Sequence, residues 1–127
     1  MAKSILICDD AAFMRMMIKD ILTKNGYNVV GEAENGLKAV EKYTELKPDL
    51  VLMDIDMPEM DGIETAKRIM EMTDHTVPIL FVTALCDRQT VTLCRNLDAA
   101  GYIVRPYKPV FVKTEIKRIL MGRSEIE

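Results

Sequence analysis

Leu50-Val51-Leu52-Met53-Asp54 is the stretch that decides the fold. Four apolar residues in a row, with no polar alternation, read as a strand buried on both faces. Such strands belong to parallel sheets covered by helices on either side. Working outward, the same grammar recurs. Ile5-Leu6-Ile7-Cys8 stops at Asp9-Asp10, Ile79-Leu80-Phe81-Val82 stops at Thr83, and Tyr102-Ile103-Val104 stops at Arg105-Pro106. Tyr27 to Val30 is a further β-like run, followed by Gly31.

Helix-like segments fill the intervals. Met14, Met17, Ile18, Ile21 and Leu22 recur at helical spacing, and Asn25-Gly26 closes that helix because Gly accepts a left-handed cap. Asn35-Gly36 opens a second helix, with Leu37, Val40 and Tyr43 or Thr44 expected on its inner side, and Lys47-Pro48-Asp49 breaks it. The loop Met57-Pro58-Glu59-Met60-Asp61-Gly62 leads to a helix carrying Ile63, Ala66, Ile69 and Met70. Asp87 is placed to cap a fourth helix, with Val91, Cys94 and Leu97 inward, although Thr90 and Thr92 are poor helix formers. The last helix shows Val112, Ile116, Ile119 and Leu120 and is expected to close at Gly122. The expected division is one domain over residues 1–122 and a polar tail over 123–127. Alternating strands and helices predict an α/β domain: right-handed crossovers wind five helices around a five-stranded parallel sheet.

Composition narrows the function. A chain of 127 residues and 14.4 kDa is one domain. With 49% apolar and 29% charged residues it is too apolar for a disordered chain. A net charge of −3 argues against nucleic acid or an anionic membrane as partner. No apolar run reaches the roughly 18 residues needed to span a bilayer, so no membrane insertion is expected. Met1-Ala2-Lys3-Ser4 does not open a signal peptide. Cys8, Cys86 and Cys94 are odd in number and form no Cys-x-x-Cys pair, which suits free thiols in a reducing cytoplasm. His75 is the single histidine and lies in the polar stretch Thr73-Asp74-His75-Thr76, so a surface loop suits it better than a His metal site or a Ser-His-Asp triad.

Polar groups gather at one kind of place, the carboxyl ends of apolar strands. In open α/β sheets ligands bind outside those ends, where the strand order reverses. In the order 2-1-3-4-5 that point lies between the first and third strands, and Asp9, Asp10 and Asp54 converge there. Two unit charges about 5 Å apart repel by about 3 kcal/mol at an effective dielectric near 20. Either one carboxyl is protonated or a cation sits among them. An all-oxygen set suits Mg²⁺ best, and Mn²⁺ or Ca²⁺ less well. One of Asp9 and Asp10 can instead cap the following helix, but a cap does not account for Asp54. A carboxylate can also attack phosphorus and form an aspartyl phosphate. The Thr83 hydroxyl and the Arg105 guanidinium are then placed to meet the phosphoryl oxygens.

Four pieces together resemble the receiver domains of bacterial and archaeal response regulators. They are Asp9-Asp10, Met53-Asp54-Ile55-Asp56-Met57-Pro58-Glu59-Met60-Asp61-Gly62, Thr83-Ala84 and Tyr102-Ile103-Val104-Arg105-Pro106. The resemblance covers essentially the whole chain. The stretch from Asp10 through Lys19, with Phe13-Met14-Arg15-Met16-Met17, is similar to the single-domain chemotaxis branch in particular. It implies a doubly wound, flavodoxin-like sheet in the order 2-1-3-4-5. It also implies that a sensor histidine kinase phosphorylates Asp54, and that Mg²⁺ is held directly by Asp10 and Asp54, mainly through water by Asp9, and by the backbone carbonyl of Asp56. On activation Thr83 would turn toward the phosphoryl group and Tyr102 would move inward from a half-buried position with its hydroxyl in water. That would remodel a face made by the fourth helix, fifth strand and fifth helix.

With no output domain after Gly122, the chain is expected to act as a cytoplasmic monomer that docks to a partner such as a flagellar motor switch component, with a phosphatase as a further possible partner. It would be a signalling phosphoacceptor that catalyses only its own phosphorylation and dephosphorylation. Two departures stand out. Arg105 replaces the Lys that the family places before Pro, at a bond that is cis there. The Arg105 guanidinium is expected to reach a phosphoryl oxygen, or to pair with Asp54 without phosphate. Asp98 stands where a small residue usually follows the fourth helix, which is expected to shift that helix's end. Two alternatives compete. Asp54-Ile55-Asp56 also resembles the Asp-x-Asp signature of haloacid-dehalogenase-type phosphatases, with Asp54 as nucleophile and Asp56 as acid/base. The chain could also be a pseudo-receiver, a binding module that is never phosphorylated.

Overall fold

A computed structural model describes residues 2–125, along which strands and helices alternate. In chain order they are β1 (Ser4–Cys8), α1 (Ala12–Lys24), β2 (Asn28–Ala33), α2 (Gly36–Leu46), β3 (Leu50–Met53), α3 (Gly62–Met72), β4 (Ile79–Thr83), α4 (Arg88–Asn96), β5 (Gly101–Val104) and α5 (Pro109–Glu125). Every strand pair is parallel, and the order across the sheet is β2-β1-β3-β4-β5. β3 and β4 are buried along their whole length, as their unbroken apolar runs require.

The sheet separates two cores. Leu6, Cys8, Val51, Met53, Ile79 and Phe81 pack on one face against Ala39, Ala66, Ile69, Met70 and Cys94 from α2, α3 and α4. Ile5, Ile7, Leu50, Leu52, Leu80 and Val82 pack on the other against Ile18, Leu22, Val112, Ile116 and Ile119 from α1 and α5. Neighbouring strand residues point to opposite faces, so the period of two exists in space although the sequence hides it. Fully burying each such side chain contributes about 2 kcal/mol.

The helix ends follow local chemistry. α1 closes with Gly26 at φ 84°, where the Gly26 N–H donates to the Thr23 carbonyl and the Tyr27 N–H to the Leu22 carbonyl. Asn35, Asp61 and Asp87 cap α2, α3 and α4 through side-chain oxygens that accept from Lys38, Glu64 and Thr90 N–H groups.

Four expectations are corrected. Leu37 is 60% exposed, and the inner face of α2 is Gly36, Ala39, Val40 and Tyr43. Small residues win there because α2 lies close against α3: a Cβ on Gly36 would stand 2.2 Å from Thr65 Oγ1. Met17, expected on the inner face of α1, is 39% exposed, and Ile18 and Leu22 are buried there. Asp98 does not displace the end of α4. It adopts φ 61° itself, with its N–H on the Arg95 carbonyl and the Ala99 N–H on the Cys94 carbonyl, the same cap that Gly26 makes. α5 does not close at Gly122 but continues to Glu125, because glycine weakens a helix without ending it. Residues 126–127 of the expected tail lie outside the described residues. Among the described residues no helix is long and apolar enough to cross a membrane.

Candidate functional site: an acidic cleft at the strand ends

The parallel ladder itself delivers the aspartates. The Asp54 N–H donates to the Cys8 carbonyl at 2.9 Å and the Asp9 N–H to the Ala33 carbonyl at 3.0 Å. Asp9 and Asp54 thus leave the ends of adjacent strands, β1 and β3, at the point where the order reverses. One ligand oxygen from each of Asp9, Asp10 and Asp54 lies within 4.8 Å of the others. Asp9 and Asp54 are buried and Asp10 is exposed. The N-cap of α1 is Ala11 and makes no side-chain cap bond, so neither Asp9 nor Asp10 is that cap. Asp9 Oδ1 does accept from the Ala11 N–H at 2.9 Å, which turns its carboxylate into the cleft.

Arg105 comes from the far edge. Its N–H donates to the Thr83 carbonyl at 2.9 Å, and the Arg105–Pro106 peptide is cis. Its guanidinium spans two carboxylates, with Nη1 2.8 Å from Asp9 Oδ2 and Nη2 3.1 Å from Asp54 Oδ2. Burial works against the charged guanidinium, but Asp54 and Asp9 outweigh it and hold its pKa above the usual arginine value. Burial pushes the Asp9 carboxyl up; the Ala11 N–H opposes this, and the Asp54 charge adds to it. Three carboxylates against one guanidinium leave the cleft with an excess of negative charge, which a divalent cation would balance.

Around this centre the cleft is also lined by Asp56, Met57 and Ala84 and encloses about 690 Å³. The Asp56 side chain is exposed, and its N–H donates to Asp54 Oδ1 at 3.4 Å. Gly62 is required here by space. Its N–H donates to the Ile55 carbonyl at 2.8 Å, and a Cβ would stand 2.1 Å from the Asp54 carbonyl oxygen. The start of α3 therefore rests directly on the backbone of Asp54.

Thr83 and Tyr102 are one step removed. Thr83 is fully buried, and Ala84 rather than Thr83 lines the cleft. Thr83 Oγ1 accepts from the Leu85 N–H at 3.3 Å, and the Tyr102 hydroxyl donates to the Leu85 carbonyl. The Tyr102 ring is half-buried, 6.3 Å from Phe81 centre to centre. Its hydroxyl is therefore not in water, as expected, but hydrogen-bonded to backbone. Burial first, then the negative field of Cys94 and Asp87, pushes the Tyr102 phenol up to about 12. Sequence reasoning missed Leu85, which joins Thr83 to Tyr102 through backbone groups that no side-chain pattern reveals. It also missed Arg15, whose Nη1 donates to the Asp9 carbonyl at 2.6 Å while Nε meets Glu32 at 3.0 Å. Its place in the first turns of α1, five residues after Asp10, was the available signal.

Comparison with known proteins agrees with this geometry. The family described as response regulator receiver domain matches residues 5–117. The chemotaxis protein CheY of Bacillus subtilis is 52% identical over 120 residues, which cover 94% of this chain and 99% of that protein. The chemotaxis protein CheY of Thermotoga maritima is 50% identical over 119 residues, 94% of this chain and 98% of that one. Among solved structures, a chain of the CheX–CheY–BeF3–Mg²⁺ complex from Borrelia burgdorferi superposes with a TM-score of 0.88 at 33% identity, covering 92% of this chain and 88% of that one. An acidic cleft at the switch point of a 2-1-3-4-5 sheet, in a chain matched along nearly its full length, has one reading: the protein belongs to the response regulator receiver domains, as a CheY-like member of a chemotaxis two-component system.

Proposed function

We propose that Asp54 is the phosphoacceptor of this receiver. The observation that carries the reading is the meeting of Asp9, Asp10 and Asp54 with one guanidinium, Arg105, in a cleft open to solvent. An Asp54 carboxylate oxygen attacks the phosphorus of a phosphohistidine on a sensor histidine kinase. The P–N bond breaks, the imidazole leaves with its electron pair, and an acyl phosphate forms on Asp54. The all-oxygen donor set and the surplus negative charge fit Mg²⁺. Asp10 and Asp54 would hold it directly, Asp9 mainly through water and Asp56 through its backbone carbonyl. When bound, Mg²⁺ neutralises charge on the transferring phosphoryl oxygens.

Arg105 then exchanges its carboxylate partners for phosphoryl oxygens. The Thr83 hydroxyl leaves the Leu85 N–H and donates to the phosphoryl group. Because Tyr102 is bonded to the same Leu85, it senses that movement and relays it to the surface of α4, β5 and α5. The chain thus acts as a signalling protein that catalyses only its own phosphorylation and dephosphorylation. We assign it a cytoplasmic, monomeric role between the kinase and a protein target such as a flagellar motor switch component, with a phosphatase to end the signal. The two alternatives are not favoured. The match to the receiver family along residues 5–117 disfavours a dehalogenase-type phosphatase. The intact acidic cluster argues against an inert module.

The deciding experiment is intact mass after acetyl phosphate and Mg²⁺. One phosphoryl group should add to the wild-type chain and none to Asp54→Asn. An undiminished adduct on Asp54→Asn would overturn the assignment, and multiple turnover of p-nitrophenyl phosphate would favour the phosphatase.

A further inference from the structure

A second cavity opens at the other end of the sheet. Lys3 precedes β1 whereas Asp9 and Asp10 follow it, so this groove and the acidic cleft sit at opposite ends of that strand. The groove lies where the end of α1 meets α5 and encloses about 540 Å³. That is within the roughly 300–1,000 Å³ typical of small-molecule sites. Its floor is apolar: Tyr27 and Leu120 are half-buried and pack onto the core beneath α1 and α5, with Met121 beside them. Its rim is basic, formed by Lys3, Lys113 and Lys117.

Among the described residues none of these three ammonium groups has a carboxylate partner within the groove or beside it. Lys113 and Lys117 are i,i+4 neighbours on α5, a like-charge spacing that weakens a helix. Lys3 brings a third positive charge to the same rim. The fold does not need this concentration of charge, and the chain as a whole is acidic, at −3. An anion lying between the three would turn the repulsion into attraction. Half-buried Tyr27 is the one aromatic side chain in the groove lining, the group on which a planar ligand would stack.

We propose that this groove binds a small organic polyphosphate with a flat body, of nucleotide size. The phosphates meet Lys3, Lys113 and Lys117, and the planar body lies on Tyr27 and Leu120. The site is independent of the phosphoacceptor chemistry, so either assignment can fail alone.

The test is an amide-resolved NMR titration of the full chain with three probes, without Mg²⁺: adenosine triphosphate, inorganic pyrophosphate and adenosine. Saturable shifts are expected at Tyr27 and from Lys113 to Met121, with adenosine triphosphate binding about tenfold tighter than either fragment. Lys113→Glu combined with Lys117→Glu should weaken adenosine triphosphate by about tenfold or more. Tyr27→Leu should weaken adenosine triphosphate and leave pyrophosphate unchanged. The dispersion of the amide spectrum reports that each variant is folded. Lack of saturation, pyrophosphate binding as tightly as the nucleotide, indifference to the lysine reversals, or shifts confined to the Asp54 cleft would each overturn the proposal.

Discussion

Arg105 holds two carboxylates with one planar fork, at 2.8 and 3.1 Å. A lysine ammonium is a compact point charge and cannot present two parallel N–H groups in the same way. Arg105→Lys should therefore leave phosphorylation by acetyl phosphate largely intact while changing the strength of coupling to the partner, measured as the affinity gained on phosphorylation. Arg105→Ala should cost more. It leaves Asp9 and Asp54 buried without a side-chain cation, and urea unfolding should show a loss of about 3 kcal/mol, partly recovered by Mg²⁺. Normal stability, phosphorylation and switching in Arg105→Ala would remove the role assigned to Arg105. Asp10 is the exposed member of the cluster. Asp10→Ala should weaken Mg²⁺ binding by about tenfold or more, since it removes one oxygen donor. The chain has no tryptophan, so calorimetry is the suitable measurement. Unchanged affinity would mean that Asp10 is not a ligand.

At the scale of the element, two backbone positions set how the site is framed. The N-terminus of α3 rests on Asp54 only because Gly62 has no side chain there. Gly62→Ala forces backbone against backbone, so it should destabilise the chain by about 3 kcal/mol and slow phosphorylation. An alanine variant with wild-type stability and rate would show that α3 can retreat without moving Asp54. The end of α4 behaves differently. Asp98 occupies a left-handed conformation that costs an L-residue and not glycine, so Asp98→Gly should stabilise by about 0.5–1 kcal/mol. Thermal unfolding checks this, and a destabilised Asp98→Gly would point to a side-chain role for Asp98.

Across the whole molecule, β4 and β5 connect the acidic cleft to the surface around Tyr102, through Arg105 and Leu85, which both follow the carboxyl ends of these parallel strands. Beryllofluoride with Mg²⁺ should therefore move amide resonances around Asp54 and also at Thr83, Leu85, Val91, Cys94, Tyr102, Val104 and α5. Shifts confined to the cleft would describe a receiver that binds phosphate without switching by this route. Burial also raises the pKa of all four tyrosines, Tyr27, Tyr43, Tyr102 and Tyr107. Folding favours the neutral phenol, so this contribution to stability is complete below pH 10 and is lost as pH rises toward about 12 at Tyr102. Phenolate absorbance should appear at higher pH in the folded chain than in urea, and coincident curves would contradict that burial.

Much of this was legible in the residues themselves, for definable reasons. Unbroken apolar runs mark strands buried on both faces, and Asp9, Asp10, Asp54, Thr83 and Arg105 end such runs, so the sequence alone placed these polar groups at the carboxyl ends of a parallel sheet. The cap at Asp87 is local too, since a side-chain oxygen reaches an N–H only three residues away. Contacts between distant segments were not legible. The inner face of α2 was decided by α3 approaching Gly36, which left Leu37 in solvent although hydropathy favours it inside. The link from Thr83 to Tyr102 through Leu85 was decided by how a loop brings backbone groups to two strands, and backbone groups carry no sequence signal. The pairing of Arg105 with Asp54 was expected, but its second grip, on Asp9, belongs to the same class, because only the folded sheet brings a residue 96 positions away to the same guanidinium.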